Sequence, residues 1–204
     1  MHLLGERTLG VVILMLLGML VATKRIATGS IFDKPEGGLL VQAVNVFNLL
    51  FLLIVNPLAA ILLIGRRLAA LDPTRVAVDA PRALAALEIA GLVLYVAGCA
   101  LMAAALRTLG RNYQLGGCAP RPGDSMVRTG PYRVIRHPMY AAALCIAGGL
   151  ACLVQSGAAA GVFCVYIVLI LALIPAEEEV LLNAYGDRYA AFQRQTRRLI
   201  PLVY

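Results

Sequence analysis

The fold is decided by one apolar stretch, residues 139–174, which reads MYAAALCIAGGLACLVQSGAAAGVFCVYIVLILALI. As a single α-helix it would be about 54 Å long, whereas the hydrocarbon core of a bilayer is about 30 Å thick. Its only polar break, Gln155-Ser156-Gly157, falls near the middle. The stretch therefore predicts two short helices that form a hairpin with a tight turn, so that both of its ends lie on one side of a membrane.

The composition also indicates a membrane protein. Of the 204 residues, 61% are hydrophobic and 14% are charged, whereas a soluble domain carries about a quarter charged residues. Such a chain cannot cover its apolar surface with polar groups, which argues against a soluble helical bundle. The net charge of +7 comes from basic residues placed between apolar runs. This pattern is typical of membrane flanks and gives no support for nucleic-acid binding.

Three further apolar runs precede the hairpin, at residues 9–22, 39–64 and 83–106. The first is short for a span and has a signal peptide as its alternative, but more spans follow, so a membrane helix is favoured. The second would be about 39 Å long and must tilt or bend, most naturally at Pro57. We therefore expect an all-α polytopic membrane protein of about five transmembrane helices, with about three N-terminal helices in residues 1–104 and a second region, which contains the hairpin, in residues 105–204.

Several polar residues interrupt the predicted spans. Asn45, Asn48 and Asn56 are interpreted as interhelical contacts rather than substrate ligands, since intramembrane amides often join helices. Glu88 either has a functional role or reaches the membrane interface. The five cysteines form no C-x-x-C pair and there are only two histidines, so no metal site is predicted.

Charge distribution predicts the orientation. With five spans, residues 23–38, residues 107–138 and the C-terminal tail share one side, and this side carries more of the lysines and arginines. The positive-inside rule places it in the cytoplasm, although Arg66 and Arg67 oppose the assignment. In a prokaryote the membrane would be the inner, or plasma, membrane.

Two polar segments flank the hairpin on this predicted cytoplasmic side. One reads GPYRVIRHPMY over residues 130–140 and the other begins with Glu177 and Glu178. The acids follow Pro175, which predicts that a new helix starts there with negative charge at its N-terminus. Since the hairpin returns the chain to the same side, an arginine–histidine pair, tyrosines and two acids are expected to meet beside an apolar slot.

These two segments resemble the isoprenylcysteine carboxyl methyltransferases and their phospholipid methyltransferase relatives. The first is similar to the signature G-x-Y-x-x-x-R-H-P-x-Y of that family. The second is similar to E-E-x-x-L-x-x-x-F-G-x-x-Y-x-x-Y followed by R-x-I-P, with matches at Glu177, Glu178, Leu181, Gly186, Tyr189 and Arg198-Leu199-Ile200-Pro201. Tyr185 and Phe192 replace the Phe and the last Tyr of that pattern. The resemblance covers about residues 105–204.

The resemblance implies S-adenosylmethionine as cofactor and a lipophilic acceptor that enters from the bilayer, either an isoprenylcysteine carboxylate or a phospholipid amine. The implied cofactor-binding residues are Gly130, Tyr132, His137, Pro138, Tyr140, Glu177 and Glu178. The implied catalytic residues are Arg136, His137, Glu178 and Arg198. In this interpretation Arg136 binds a carboxylate through two parallel hydrogen bonds. Arg198 would hold the acceptor if it is a carboxylate, and Glu178 would take its proton if it is an amine.

One position departs from the family pattern. Members often have a histidine eight residues before the tyrosine of G-x-Y, and here that residue is Asp124. Two alternatives to a methyltransferase stay open. One is an NADPH-dependent membrane reductase of the sterol reductase kind, which shares the Gly-x-x-Tyr pattern of Gly186 and Tyr189. The other is a non-catalytic membrane protein of the same fold, and Asp124 is the only feature of the sequence that favours it.

Overall fold

The structure, a computed structural model, describes residues 4–31, 38–76, 78, 80–114, 118–121 and 123–201. Within them the chain is helical, and its only β-type pairings are two isolated bridges. The α-helices are α1 (Glu6–Thr28), α2 (Leu39–Leu50), α3 (Asn56–Ile64), α4 (Leu68–Leu71), α5 (Pro81–Leu109), α6 (Pro138–Val154), α7 (Gly157–Tyr185) and α8 (Asp187–Gln195). A π-helical segment (Phe51–Val55) joins α2 to α3, and 3-10 turns cover Gly110–Asn112 and Gly130–Arg133.

Four helical stretches of the described chain are long and apolar enough to cross a membrane: Glu6–Thr28, Leu39–Ile64, Pro81–Asn112 and Gly157–Tyr185. Pro138–Val154 is a shorter apolar helix. The protein is therefore a multi-pass integral membrane protein. The boundary expected at residue 104 falls inside α5, and the division into two regions stays a prediction.

The predicted hairpin is present as α6 and α7. Gln155 adopts the left-handed conformation (φ 53°, ψ 43°) and Ser156 caps α7 by accepting a hydrogen bond from the Ala159 N–H at 3.1 Å. The second helix is not short, however, and the prediction of a helix start at Pro175 is wrong. Helix α7 continues through the proline to Tyr185.

Packing explains why the proline does not end α7. A proline inside a helix removes one backbone hydrogen bond. The buried face of α7 nevertheless continues from Ile170, Leu173 and Ile174 before the proline to Glu178 after it. Contacts on both sides therefore hold the helix together, and the acids lie in its interior rather than at an N-terminus.

The long second span is irregular one turn before Pro57, where the π-helical segment lies. Proline cannot donate to the carbonyl four residues back and crowds it, so the preceding turn widens. The Asn56 side-chain amide donates to the Phe51 carbonyl at 2.9 Å, and this carbonyl also accepts from the backbone N–H of Asn56. Its side-chain oxygen accepts from the Tyr95 hydroxyl at 2.9 Å, while Asn48 accepts from Tyr166. The expected role of these two amides in joining helices is confirmed.

Three chain segments meet at the end of the bundle opposite the predicted site. Arg75 forms an ion pair with Glu6 at 3.1 Å. Thr74 bonds to the start of α7, since its hydroxyl accepts from the Ala158 N–H and its carbonyl accepts from the Gly157 N–H. The start of α1, the segment before α5 and the hairpin turn thus lie on one side, as the predicted topology requires. Glu88 is buried within the protein rather than extended to solvent.

Close packing of α5 on α6 fixes the position of the hairpin. A Cβ atom on Gly149 would lie 2.6 Å from the Tyr95 backbone nitrogen and 2.8 Å from the Gly91 carbonyl oxygen. Small residues allow this backbone approach, which is a common way of joining helices in membranes.

Substituting Gly149 with alanine should therefore lower the thermal unfolding midpoint in detergent. Overpacking of this kind costs about 1–3 kcal/mol. Gly161→Ala on α7 is the matched control, because a Cβ atom there meets nothing within 4 Å. Equal midpoints for the two variants would contradict the close α5–α6 contact.

Candidate active site

The site begins with a short backbone pairing between the segment before α6 and the tail after α8. The Arg136 N–H donates to the Arg197 carbonyl at 2.7 Å, and the His137 N–H donates to the Arg198 carbonyl at 3.0 Å. An isolated parallel bridge joins Ile135 to Arg197. The arginine–histidine motif is thus bound to the tail before any side chain is considered.

Glu178 on α7 is the centre of the side-chain cluster. Its Oε1 accepts from Arg136 Nε at 2.8 Å, and its Oε2 accepts from Arg198 at 3.1 and 2.9 Å. His137 Nε2 lies 3.3 Å from Oε1. The prediction that the motif and the acids meet across the hairpin is confirmed.

Arg136 connects several parts of the protein. Besides Glu178, it donates to the Gln193 carbonyl at 3.1 Å and to the carbonyl of Thr196. Its side chain is 9% exposed. The guanidinium therefore fastens α8 and the tail to the hairpin through Nε and Nη1, and Arg136 also lines the cavity described below.

Glu177, His137 and Tyr140 form the part of the cluster that faces a cavity. The Tyr140 hydroxyl donates to Glu177 Oε2, and the rings of His137 and Tyr140 stack at a centroid distance of 5.5 Å. His137 Nδ1 lies 3.9 Å from Glu177 Oε1. Tyr132 lines the same cavity, and burial followed by the nearby Glu177 charge raises the pKa of its phenol.

Three other residues expected in the site do not line the cavity. Gly130 has φ +55° and lies so close to α5 that an added Cβ atom would be 2.6 Å from the Thr108 hydroxyl. Pro138 is the buried first residue of α6. Arg198 pairs with Glu178 and does not line the cavity. Neither glycine nor proline supplies a side-chain donor, so their place in the motif reflects local geometry.

The cavity has a volume of about 320 Å³, within the size range of small-molecule sites. Its polar end is formed by the segment after α5 together with α8 and the end of α7. The residues of these segments that line it include Asn112, Gln114, Asp124, Ser125, Tyr185, Tyr189 and Phe192. None of these was among the predicted site residues, although Asp124, Tyr185, Tyr189 and Phe192 stand at positions of the family patterns. The Gly-x-x-Tyr pattern was the one signal that could have identified Tyr189.

Asp124, the residue that departs from the family pattern, lines this polar end. It accepts hydrogen bonds from Gln114 Nε2 at 2.7 Å and from the Arg121 N–H at 3.1 Å. Desolvation alone would raise the pKa of this carboxyl group. The hydrogen bonds and the Arg121 guanidinium outweigh it and hold the pKa below its ordinary value.

The other end of the cavity is apolar and lies among the membrane helices. Its lining comes from α1, α2, the π-helical segment, α5, α6 and α7: Leu20, Val21, Asn45, Asn48, Leu49, Phe51, Leu52, Leu53, Met102, Leu106, Ile146 and Tyr166. Asn45 and Asn48 are therefore cavity residues as well as interior polar groups. One cavity thus joins the His137–Glu177 pair to an apolar slot within the bundle.

Replacing Glu178 with glutamine should destabilise the fold by about 3 kcal/mol, since two guanidinium groups would lose their buried counter-ion. The side chain of Arg198 is 33% exposed, so solvent screens its pair with Glu178. We therefore expect a loss of stability at the lower end of the range for buried pairs. Thermal unfolding in detergent measures it. Glu179→Gln is the matched control, because the neighbouring side chain is exposed. A Glu178→Gln variant as stable as this control would contradict the role of Glu178 as the hub.

Comparisons with known proteins agree with the motifs. The structure of the eukaryotic intramembrane Ras methyltransferase, isoprenylcysteine carboxyl methyltransferase, is similar with a TM-score of 0.53 and 19% sequence identity. The match covers 80% of this chain and 74% of that one, and at this identity the likeness concerns the fold alone. No curated protein matches the chain by sequence.

A model of the phospholipid methyltransferase family matches residues 87–188. This segment is half of the chain, and it contains the arginine–histidine motif with both Glu177 and Glu178. The match confirms the resemblance seen in the sequence and favours a methyltransferase over a sterol-type reductase. The chain therefore belongs to the phospholipid methyltransferase family, a family of membrane methyltransferases that use S-adenosylmethionine.

Proposed function

We propose that the protein transfers a methyl group from S-adenosylmethionine to a lipophilic acceptor that reaches the site from the bilayer. The observation that carries this proposal is a continuous cavity with a polar end at His137 and Glu177 and an apolar end between the membrane helices. A cofactor with charged and polar parts suits the first end, and a hydrocarbon chain suits the second.

The polar end has the chemistry needed to hold this cofactor. When bound, S-adenosylmethionine supplies an electrophilic methyl group on a sulfonium cation. Glu177 offers a carboxylate to the cationic part, and the rings of Tyr132 and Tyr140 add aromatic faces. Gln114 and Ser125 supply neutral polar groups beside them. Tyr189, whose buried hydroxyl has no partner within the described chain, also lines this end and fits a polar ligand.

The scaffold contributes by excluding water and aligning the reactants. His137 is 4% exposed and Glu177 is 18% exposed, so the reacting atoms would meet in a largely dry site. No covalent enzyme intermediate is required for methyl transfer. Catalysis would then come from in-line positioning and from the fixed charges of the site.

Of the two acceptor classes, the charges favour an amine over a carboxylate. A carboxylate acceptor needs a cation to hold it. Arg136 lines the cavity, but its Nε is bound to Glu178 and its Nη1 to backbone carbonyls, and Arg198 lies outside the cavity lining. The acids Glu177 and Asp124 do line the cavity. Lys24, near the end of α1, is a cation that lines the cavity as well, and with a phospholipid in the site it would pair with the phosphate. A phospholipid amine combines these requirements.

The proton released by a methylated amine needs an acceptor. Glu178 was expected in this role, but both of its oxygens already accept from guanidinium groups. Glu177 faces the cavity and has His137 beside it. We assign the general base to Glu177, with His137 either relaying the proton or orienting the carboxylate.

The orientation follows from charge. The end of the bundle that carries the site also carries the exposed arginines Arg107, Arg111, Arg121, Arg128, Arg133, Arg188, Arg194 and Arg197. We place this end in the cytoplasm, with the start of α1 on the opposite side.

The central test is calorimetric titration of the detergent-solubilised protein with S-adenosylhomocysteine, with NADPH as control. We expect micromolar binding of S-adenosylhomocysteine that is lost in His137→Ala. In a methyl-transfer assay with membrane lipids, Glu177→Gln should reduce turnover about 100-fold or more, while the exposed neighbour variant Glu179→Gln keeps normal turnover.

Each other outcome has a definite meaning. Binding of NADPH alone would move the protein to the reductases. Absence of binding by both ligands would favour a non-catalytic membrane protein. Normal turnover in both His137→Ala and Glu177→Gln would exclude this cluster as the active site, and methylation of a prenylated cysteine carboxylate instead of an amine lipid would overturn the acceptor assignment.

A fusion experiment tests the orientation. Green fluorescent protein attached after Tyr204 should fluoresce in a bacterial host, whereas alkaline phosphatase at the same position should be inactive, because that enzyme needs an oxidising compartment. The reverse pattern would place the site on the outer face.

A further inference from the structure

Two buried side-chain polar atoms have no hydrogen-bond partner among the described residues, Gln155 Nε2 and the Tyr189 hydroxyl. Gln155 lies in the hairpin turn, at the end of the bundle away from the site. Tyr189 is 2% exposed and lines the polar end of the cavity. An unpaired buried hydroxyl costs about 1–3 kcal/mol, and the great majority of buried polar groups in native structures are paired. This hydroxyl therefore requires an explanation.

The tyrosine is held in place by the protein around it. Gly186, with φ +55°, makes the sharp connection between α7 and α8, and the Tyr189 N–H donates to its carbonyl at 3.0 Å. The phenol ring packs against Phe192 at a centroid distance of 6.0 Å. Arg136 and Arg128 fasten α8 from two sides through the Gln193 and Arg188 carbonyls. The hydroxyl is thus preorganised rather than loosely placed.

Its chemistry is that of a donor. Burial, followed by the nearby charges of Glu178 and Glu177, raises the pKa of the Tyr189 phenol, so that the group stays protonated at neutral pH. Neither carboxylate lies within hydrogen-bonding distance of it, as its lack of a partner requires. A ligand that enters the cavity would have to bring the acceptor atom.

The position of Tyr189 favours the cofactor over the methyl acceptor. Helix α8 lies outside the membrane-spanning helices. The residues that line the cavity at the same end as Tyr189 include the polar residues Gln114, Asp124 and Ser125. The slot that suits a lipid chain is lined by α1, α2 and the π-helical segment instead. S-adenosylmethionine carries a carboxylate, ribose oxygens and adenine ring nitrogens, all of which accept hydrogen bonds.

We propose that Tyr189 is a cofactor-binding residue whose hydroxyl donates a hydrogen bond to an acceptor atom of S-adenosylmethionine. The inference rests on the proposed function. It gives a physical role to the tyrosine of the Gly-x-x-Tyr pattern, which the Arg136–Glu178 cluster does not use.

The test uses the contrast between a hydroxyl without a partner and one with a partner. Tyr189→Phe removes only the unpaired hydroxyl, so without ligand the variant should unfold at the same temperature as the parent protein or higher. Its affinity for S-adenosylhomocysteine, measured calorimetrically, should fall roughly 3- to 10-fold. Tyr95→Phe is the matched control, because that hydroxyl donates to Asn56 Oδ1 and lies outside the cavity. This variant should unfold at a lower temperature and bind normally.

Several results would overturn the proposal. If Tyr189→Phe binds S-adenosylhomocysteine as tightly as the parent protein, the hydroxyl does not contact the cofactor. The Tyr95→Phe variant measures how much affinity for S-adenosylhomocysteine is lost through reduced stability alone. If the loss of affinity in Tyr189→Phe is no larger than that, the proposal is also contradicted. Absence of binding by the parent protein would overturn the proposed function as well, which distinguishes the two failures.

Discussion

The structure depends on one carboxylate, that of Glu178, which two guanidinium groups and an imidazole surround. Its partners come from the segment before α6 and from the tail, so the cluster joins parts of the chain that are far apart in sequence. None of these groups could be buried alone without a large desolvation cost, whereas together they compensate one another. The hairpin must therefore return α7 to the level at which α6 begins. From Gly157 to Glu178 the helix rises about 32 Å, which is close to the thickness of the bilayer core.

The same cluster creates the wall of the cavity. Arg136 binds Glu178 through Nε and donates from Nη1 to the carbonyls of Gln193 and Thr196. These bonds hold α8 against the hairpin. Helix α8 in turn places Tyr189 and Phe192 on the cavity surface. The binding site thus needs no separate soluble domain. Polar segments that follow the spans close over an apolar slot, and the salt-bridge cluster keeps them there.

The sequence predicted those features that the bilayer itself imposes. Run lengths gave the spans and the hairpin, and the hairpin brought the Arg136–His137 pair to the acids, because a returning chain must end on the side where it began. The predicted helix start at Pro175 was wrong, because the packing of the buried face of α7 outweighs the tendency of proline to interrupt a helix. The cavity role of Tyr189 and the scaffold role of Arg136 depend on which neighbour each side chain meets across the fold, and spacing along the chain carries no such information.

The contacts of Asp124 remove the only argument that the sequence offered for a non-catalytic protein. Its carboxylate does not intrude into the site as an unsatisfied charge. It is bonded to Gln114 and to Arg121, and Arg121 also donates to the carbonyls of Arg111 and Tyr113. The acid therefore organises the segment that forms the polar end of the cavity. The departure from the family pattern at Asp124 is therefore a change in how the wall of the cavity is held together.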